Sequence, residues 1–189
     1  MSYGREQPGG AYGGGGGVPN RGYAPRDDSE EEGFHQRAAE HAARNAGDSG
    51  GSDFFSGIMG QFMGKKTQLA NEDVDEQAAV AHHKKFFGGE DDGSEADSGS
   101  MGNAAAMQAL KMFAGGSGGS SGGSQSEFIG LAMSEASKLF DSQASSGRVS
   151  SGASKESAVQ QAGEMAFKMY LKSQGGSSGG LMSLASKFM

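Results

Sequence analysis

The chain has 189 residues, of which 35 are glycine and 34% are hydrophobic, and its formal charge is −7. Glycine stands at well over twice its usual share of about 7%, and ordering it costs more backbone entropy than ordering any other residue, so one large core is not expected. Cysteine is absent, which excludes disulfides and leaves a structural zinc site to four histidine or carboxylate ligands drawn from scattered positions. No cofactor or metal is expected.

The charge is uneven: residues 1–100 carry 9 basic and 18 acidic side chains, whereas residues 101–189 carry 7 and 5. Neither half has the basic excess of a nucleic-acid clamp. Met1 to Gly10 lacks the apolar core of a signal peptide, and no stretch approaches 18 uninterrupted apolar residues. These features predict a cytoplasmic or nuclear protein rather than an exported or membrane-spanning one.

Residues 1–28 hold the run Gly13 to Gly17 and the tyrosines Tyr3, Tyr12 and Tyr23, without periodicity. This head is expected to be disordered. Tyr/Gly/Arg mixtures can stack on bases or on one another, but Arg5, Arg21 and Arg26 are matched by Glu6, Asp27 and Asp28, so the head lacks the net charge for RNA binding. Self-association or an inert tail remains.

Ser29 reads as an N-cap, followed by Glu30, Glu31 and Glu32 and alanine-rich sequence as far as Asn45. Phe34 is its one large apolar residue, so residues 29–51 are expected to form a marginal polar helix and linker with little to dock.

Within 52–70, Asp53 opens a segment in which Phe54, Phe55, Ile58, Met59, Phe62 and Met63 recur at spacings that place all six on one helical face. Gly57, Gly60 and Gly64 weaken this helix, so it needs a partner surface. The face is the candidate interaction site. It can dock on the chain's own core, capture a partner helix, or lie in a membrane interface with Lys65 and Lys66 at its end.

Residues 71–189 read as a helical region broken by Gly/Ser linkers. The first segment opens near Asn71, with Glu72, Asp73, Asp75 and Glu76 at its start, and closes with Lys84, Lys85, Phe86 and Phe87 before Gly88 and Gly89. Glu90 to Ser100 reads as a solvated linker. Helices are then predicted near 102–114, 126–141, 154–173 and 181–189. Their endings repeat a theme: Lys111-Met112-Phe113, Lys138-Leu139-Phe140, Lys168-Met169-Tyr170 and Lys187-Phe188-Met189. The fold class is therefore all-α, a small loose helical bundle with long Gly/Ser-rich disordered segments.

The blocks SMGNAAAMQALKMF from Ser100, FIGLAMSEASKLFD from Phe128, SKESAVQQAGEMAFKMYLKSQ from Ser154 and GGLMSLASKFM from Gly179 resemble a group of filamentous-fungal proteins labelled beta-flanking proteins. The resemblance spans roughly residues 71–189. It implies a fungal source and no catalytic or binding residue.

Nothing in the sequence points to an enzyme. His35 and His41 lie six residues apart and do not converge on a helix, and His82 and His83 diverge by about 100°. Serines occur without a positioned base, and the glycine run from Gly115 lacks the lysine of a phosphate-binding loop. The acidic run Glu90 to Asp97 lacks the ligands of a calcium loop. The expectation is a non-catalytic protein, a scaffold or stress-protective factor, acting on itself or another protein through Met/Phe-rich helical faces. A peripheral membrane protein anchored through residues 54–66 is the second reading.

Overall fold

A computed structural model of the chain describes residues 28–90, 92–115 and 124–174. All but the last residue of the head at 1–28, most of the 115–126 spacer, and the spacer beyond Gln174 with the helix expected at 181–189 lie outside them. The described residues are all-α, as expected, and form seven helices in one bundle.

These are α1 (Asp28–Ala46), α2 (Ser52–Met63), the single turn α3 (Lys66–Leu69), α4 (Glu76–Phe87), α5 (Ser98–Ala114), α6 (Gln125–Ser145) and α7 (Lys155–Gln174), with a 3-10 turn at Gly47–Ser49. Local chemistry sets their starts. The Asp75 carboxylate accepts from the Ala78 N–H at 3.0 Å, so α4 begins there and not near Asn71. Asp97 accepts from Ser100 N–H at 2.9 Å and starts α5. Ser124 and Glu127 form a reciprocal capping box at α6, with bonds of 3.3 and 2.8 Å. The helix from Ser52 has Gly51 before it without a side-chain cap, and Asp53 sits in its first turn.

Two pairs of helices run parallel. Ser98 and Ser154 exchange hydrogen bonds at the starts of α5 and α7, and Gly102 of α5 lies against Ala158 and Ala162 of α7. His41 faces Glu127 at 3.7 Å and Ser137 donates to the Ser49 carbonyl at 2.5 Å, so α1 ascends alongside α6. Between α5 and α7 the chain reverses in α6, whose Leu139 shares a buried cluster with Ala96, Met101, Ala104 and Ala158.

Packing of α1 departs from the expectation of a helix without a docking face. Ala38, Ala39, Ala42 and Ala46 are buried, and they meet α6 where Gly130 has no side chain. A Cβ on Gly130 would fall 2.5 Å from the Ala38 carbonyl oxygen and 3.1 Å from the Ala42 nitrogen. Small residues on both sides let the two backbones touch, so an alanine stripe serves as an apolar face without any large residue.

The stretch Glu90 to Ser100 also differs from the solvated linker expected. Ala96 is fully buried and makes an isolated parallel bridge to Val149. Its N–H donates to the Arg148 carbonyl at 2.7 Å, and its carbonyl accepts from the Ser150 N–H at 3.0 Å. This bridge pins the segment before α5 to the spacer before α7 and satisfies backbone groups that burial would otherwise leave unpaired.

Candidate interaction surfaces and polar contacts

The face singled out on α2 is turned inward. Phe55, Ile58, Met59 and Phe62 are buried, and Phe54 and Met63 are partly buried against the same core. Phe62 meets Phe167 of α7 edge to face, with ring centroids 5.2 Å apart at 85°. Of the three uses the sequence allowed, docking on the chain's own core is the one observed. The docking has a plain cause: α1 and α7 together offer the partner surface that this glycine-weakened helix needs. In this arrangement the six residues are not a free face for a partner or a membrane.

Polar side chains with chemical potential are engaged in holding helices together. Glu164, buried on α7, accepts from Gln160 at 2.8 Å and faces Lys65 at 3.5 Å. Lys168 meets Glu72 at 2.6 Å, and that bond holds the Glu72 carboxyl below its usual range. Lys172 pairs with Glu76 at 3.0 Å. The buried Glu135 carboxylate is paired with Lys138 one turn on. Asp92 accepts from the Ser94 hydroxyl and N–H, at 2.6 and 3.0 Å, which lowers its pKa to about 2.

The histidines divide as the sequence geometry requires, with no convergence. His82 and His83 form two rungs between α4 and α5: His82 Nδ1 lies 3.4 Å from Asn103 Nδ2 and His83 Nε2 lies 2.8 Å from Gln108 Oε1. Phe87 stacks on His83 with centroids 5.3 Å apart. Burial lowers the His83 pKa; the Gln108 bond opposes this and the Lys111 charge adds to it. His35 is half-buried, its Nε2 is enclosed without a hydrogen-bond partner among the described residues, and desolvation lowers its pKa. Among the described residues no three His, Asp or Glu side chains are grouped to hold a metal.

Helix α4 is the peripheral element, packed on α5. Sequence reasoning passed over its outward side, where Val80 and Ala81 line a 420 Å³ groove bordered by Glu76, Gln77, Lys84 and Glu90. The recurrence of Gln77, Val80, Ala81 and Lys84 at helical spacing was the signal available. Phe87, at its end, is 37% exposed, the one exposed large apolar side chain among the described residues. A smaller 210 Å³ cleft lies between the turn after α3 and the end of α7, but its lysines, Lys168 and Lys172, are already paired. No helix among the described residues is long and apolar enough to cross a membrane.

No curated protein and no solved structure matches the chain. Residues 35–118, from within α1 to just past α5, are similar to a family described as a domain of unknown function, DUF7721.

Proposed function

We propose that this chain is a non-catalytic helical binding module, and that it engages a partner helix along the outward side of α4. The observation that carries the reading is the groove over Val80 and Ala81, on a helix that packs chiefly on α5 and ends in the exposed Phe87. An apolar floor between charged rims suits an amphipathic helix. The occupant proposed carries a lysine beside a bulky apolar pair, to meet Glu90 at the rim. The sequence carries that pattern at Lys187-Phe188-Met189, so a second copy is the first candidate and self-association the simplest form of the activity. The non-catalytic reading is supported by the structural employment of His82, His83, Glu72 and Glu164. A fungal source, on the likeness to beta-flanking proteins, belongs to the same reading, and so does a scaffold role in the cytoplasm or nucleus.

Photo-crosslinking from position Ala81, combined with light scattering, tests it. Crosslinks between copies that disappear in Val80→Arg are expected. A strictly monomeric protein whose Ala81 position crosslinks to nothing, either in purified form or in extract, sinks the proposal.

A further inference from the structure

The α4 groove and the end of α7 are neighbours. Lys172, close to the last residue of α7, pairs with Glu76 at 3.0 Å, and Glu76 lines one end of the groove. Helix α7 therefore finishes beside that end. Beyond Gln174 the sequence runs through Gly175 to Gly180, glycine and serine only, and then Leu181 to Met189. A Gly/Ser tether of this length spans about 15 Å on average and about 24 Å at full stretch, so it brings Leu181 to the groove without strain.

We propose that residues 181–189 of this same chain are the resident occupant of the groove, seated as a short helix parallel to α4. Leu181, Leu184, Ala185 and Phe188 recur at i, i+3, i+4 and i+7, with Ser183 and Ser186 opposite them and Lys187 on the flank. A helix this short is marginal in water until its apolar face is covered. The groove lining runs from Glu76 through Val80 and Ala81 to Lys84, about 12 Å along the helix axis, and Leu181 to Phe188 spans about 10 Å. Direction follows from the tether. With Leu181 delivered at the Glu76 end, Lys187 arrives at the other, where Glu90 lines the rim and has no ion pair among the described residues. The cleft at the end of α7, at 210 Å³, has half the volume of the 420 Å³ groove and is too small for two leucines and a phenylalanine. The inference rests on the groove reading and adds how the site is regulated. A short flexible tether holds its segment at an effective concentration in the millimolar range, so the chain's own segment takes the groove ahead of a neighbour's in dilute protein. Self-association is then an exchange of these segments between copies.

Cysteine is absent from the chain, so introduced thiol pairs in the full-length protein report without background. Disulfide formation is followed for Met189→Cys paired with Lys84→Cys and, separately, with Gln77→Cys. The protein is kept roughly a thousandfold below the effective concentration, and each rate is divided by that of the α4 thiol with oxidised glutathione. A segment seated parallel to α4 is expected to close the Lys84 pair within one chain about tenfold faster than the Gln77 pair, although Gln77 lies nearer the tether. Ala81→Arg, at an exposed position, and Leu184→Asp are each expected to abolish that preference. Equal rates, a faster Gln77 pair, or a preference that survives both substitutions overturns the proposal. A Lys84 pair that closes only between copies overturns it too, while leaving the groove reading intact. Absence of closure at either position, together with no crosslink from Ala81, sinks both.

Discussion

Gly130 and Ala38 stand closer than any side chain would permit: a Cβ on the glycine would lie 2.5 Å from the alanine's carbonyl oxygen. The same device recurs at Gly102, where a Cβ would lie 2.4 Å from the Gln161 Cβ and 2.9 Å from the Ala162 nitrogen. In both places the obstacle includes backbone, which cannot rotate aside. Gly130→Ala and Gly102→Ala are therefore expected to destabilise the bundle by about 1–3 kcal/mol, overpacking outweighing the better helix propensity of alanine. Gly57 and Gly60, by contrast, face open space on α2, and alanine there is expected to stabilise by about 0.5–1 kcal/mol each. Urea midpoints of the four variants check the opposite signs.

The Phe62–Phe167 contact offers a test of how α2 is held. Truncating either ring to alanine is expected to cost about 3–5 kcal/mol. The double variant should cost less than the sum, by about 0.5–1.5 kcal/mol of ring–ring coupling. A double-mutant cycle by chemical denaturation measures it, and strict additivity would mean that α2 docks elsewhere.

His35 sets a pH dependence whose sign follows from its environment. Its folded pKa is lowered by burial, so the folded state resists the proton that the unfolded chain accepts near pH 6.5. Stability present above that value is lost as pH falls towards the folded pKa. His35→Phe removes both the titration and the enclosed nitrogen without a partner. It is expected to raise the thermal midpoint, more so at about pH 5 than at about pH 7.5.

Hydrogen exchange separates the bundle from its expected frays. Amides in the middle of α1 are expected to be protected to the level of α6, because the alanine stripe is buried between them. The Ala96 and Ser150 amides, bonded across the bridge, are expected to exchange slowly beside a fast neighbour such as Gly152.

Much of this architecture was legible. The apolar periodicity of residues 54–63 marked a helix with one working face, and the alanine-methionine runs marked α5, α6 and α7 to within a few residues at their ends. The partner of that face was not legible, since nothing local to Phe62 names Phe167. Misreading α1 came from weighing alanine as a weak hydrophobe, when opposite glycine it permits backbone contact. The signal was present, because Ala38, Ala42 and Ala46 repeat the spacing of Ala158, Ala162 and Ala166. The bridge from Ala96 to Val149 joins two polar stretches that read as spacers, and long-range pairing of single residues leaves no periodic trace. The α4 groove was hidden for a related reason: Val80 and Ala81 alone are too small to stand out as a face.

Among the described residues alanine supplies nearly half of the buried apolar side chains, and it loses no rotamer freedom on burial. Such a core releases little apolar surface when the chain unfolds. Its heat-capacity increment on melting is accordingly expected to fall below the usual 12–15 cal/mol/K per residue, roughly in proportion to the missing area. Stability that varies gently with temperature follows from that small increment. A chain too poor in large apolar residues for a steep optimum has in exchange a broad one, flat across ordinary growth temperatures and resistant to cold.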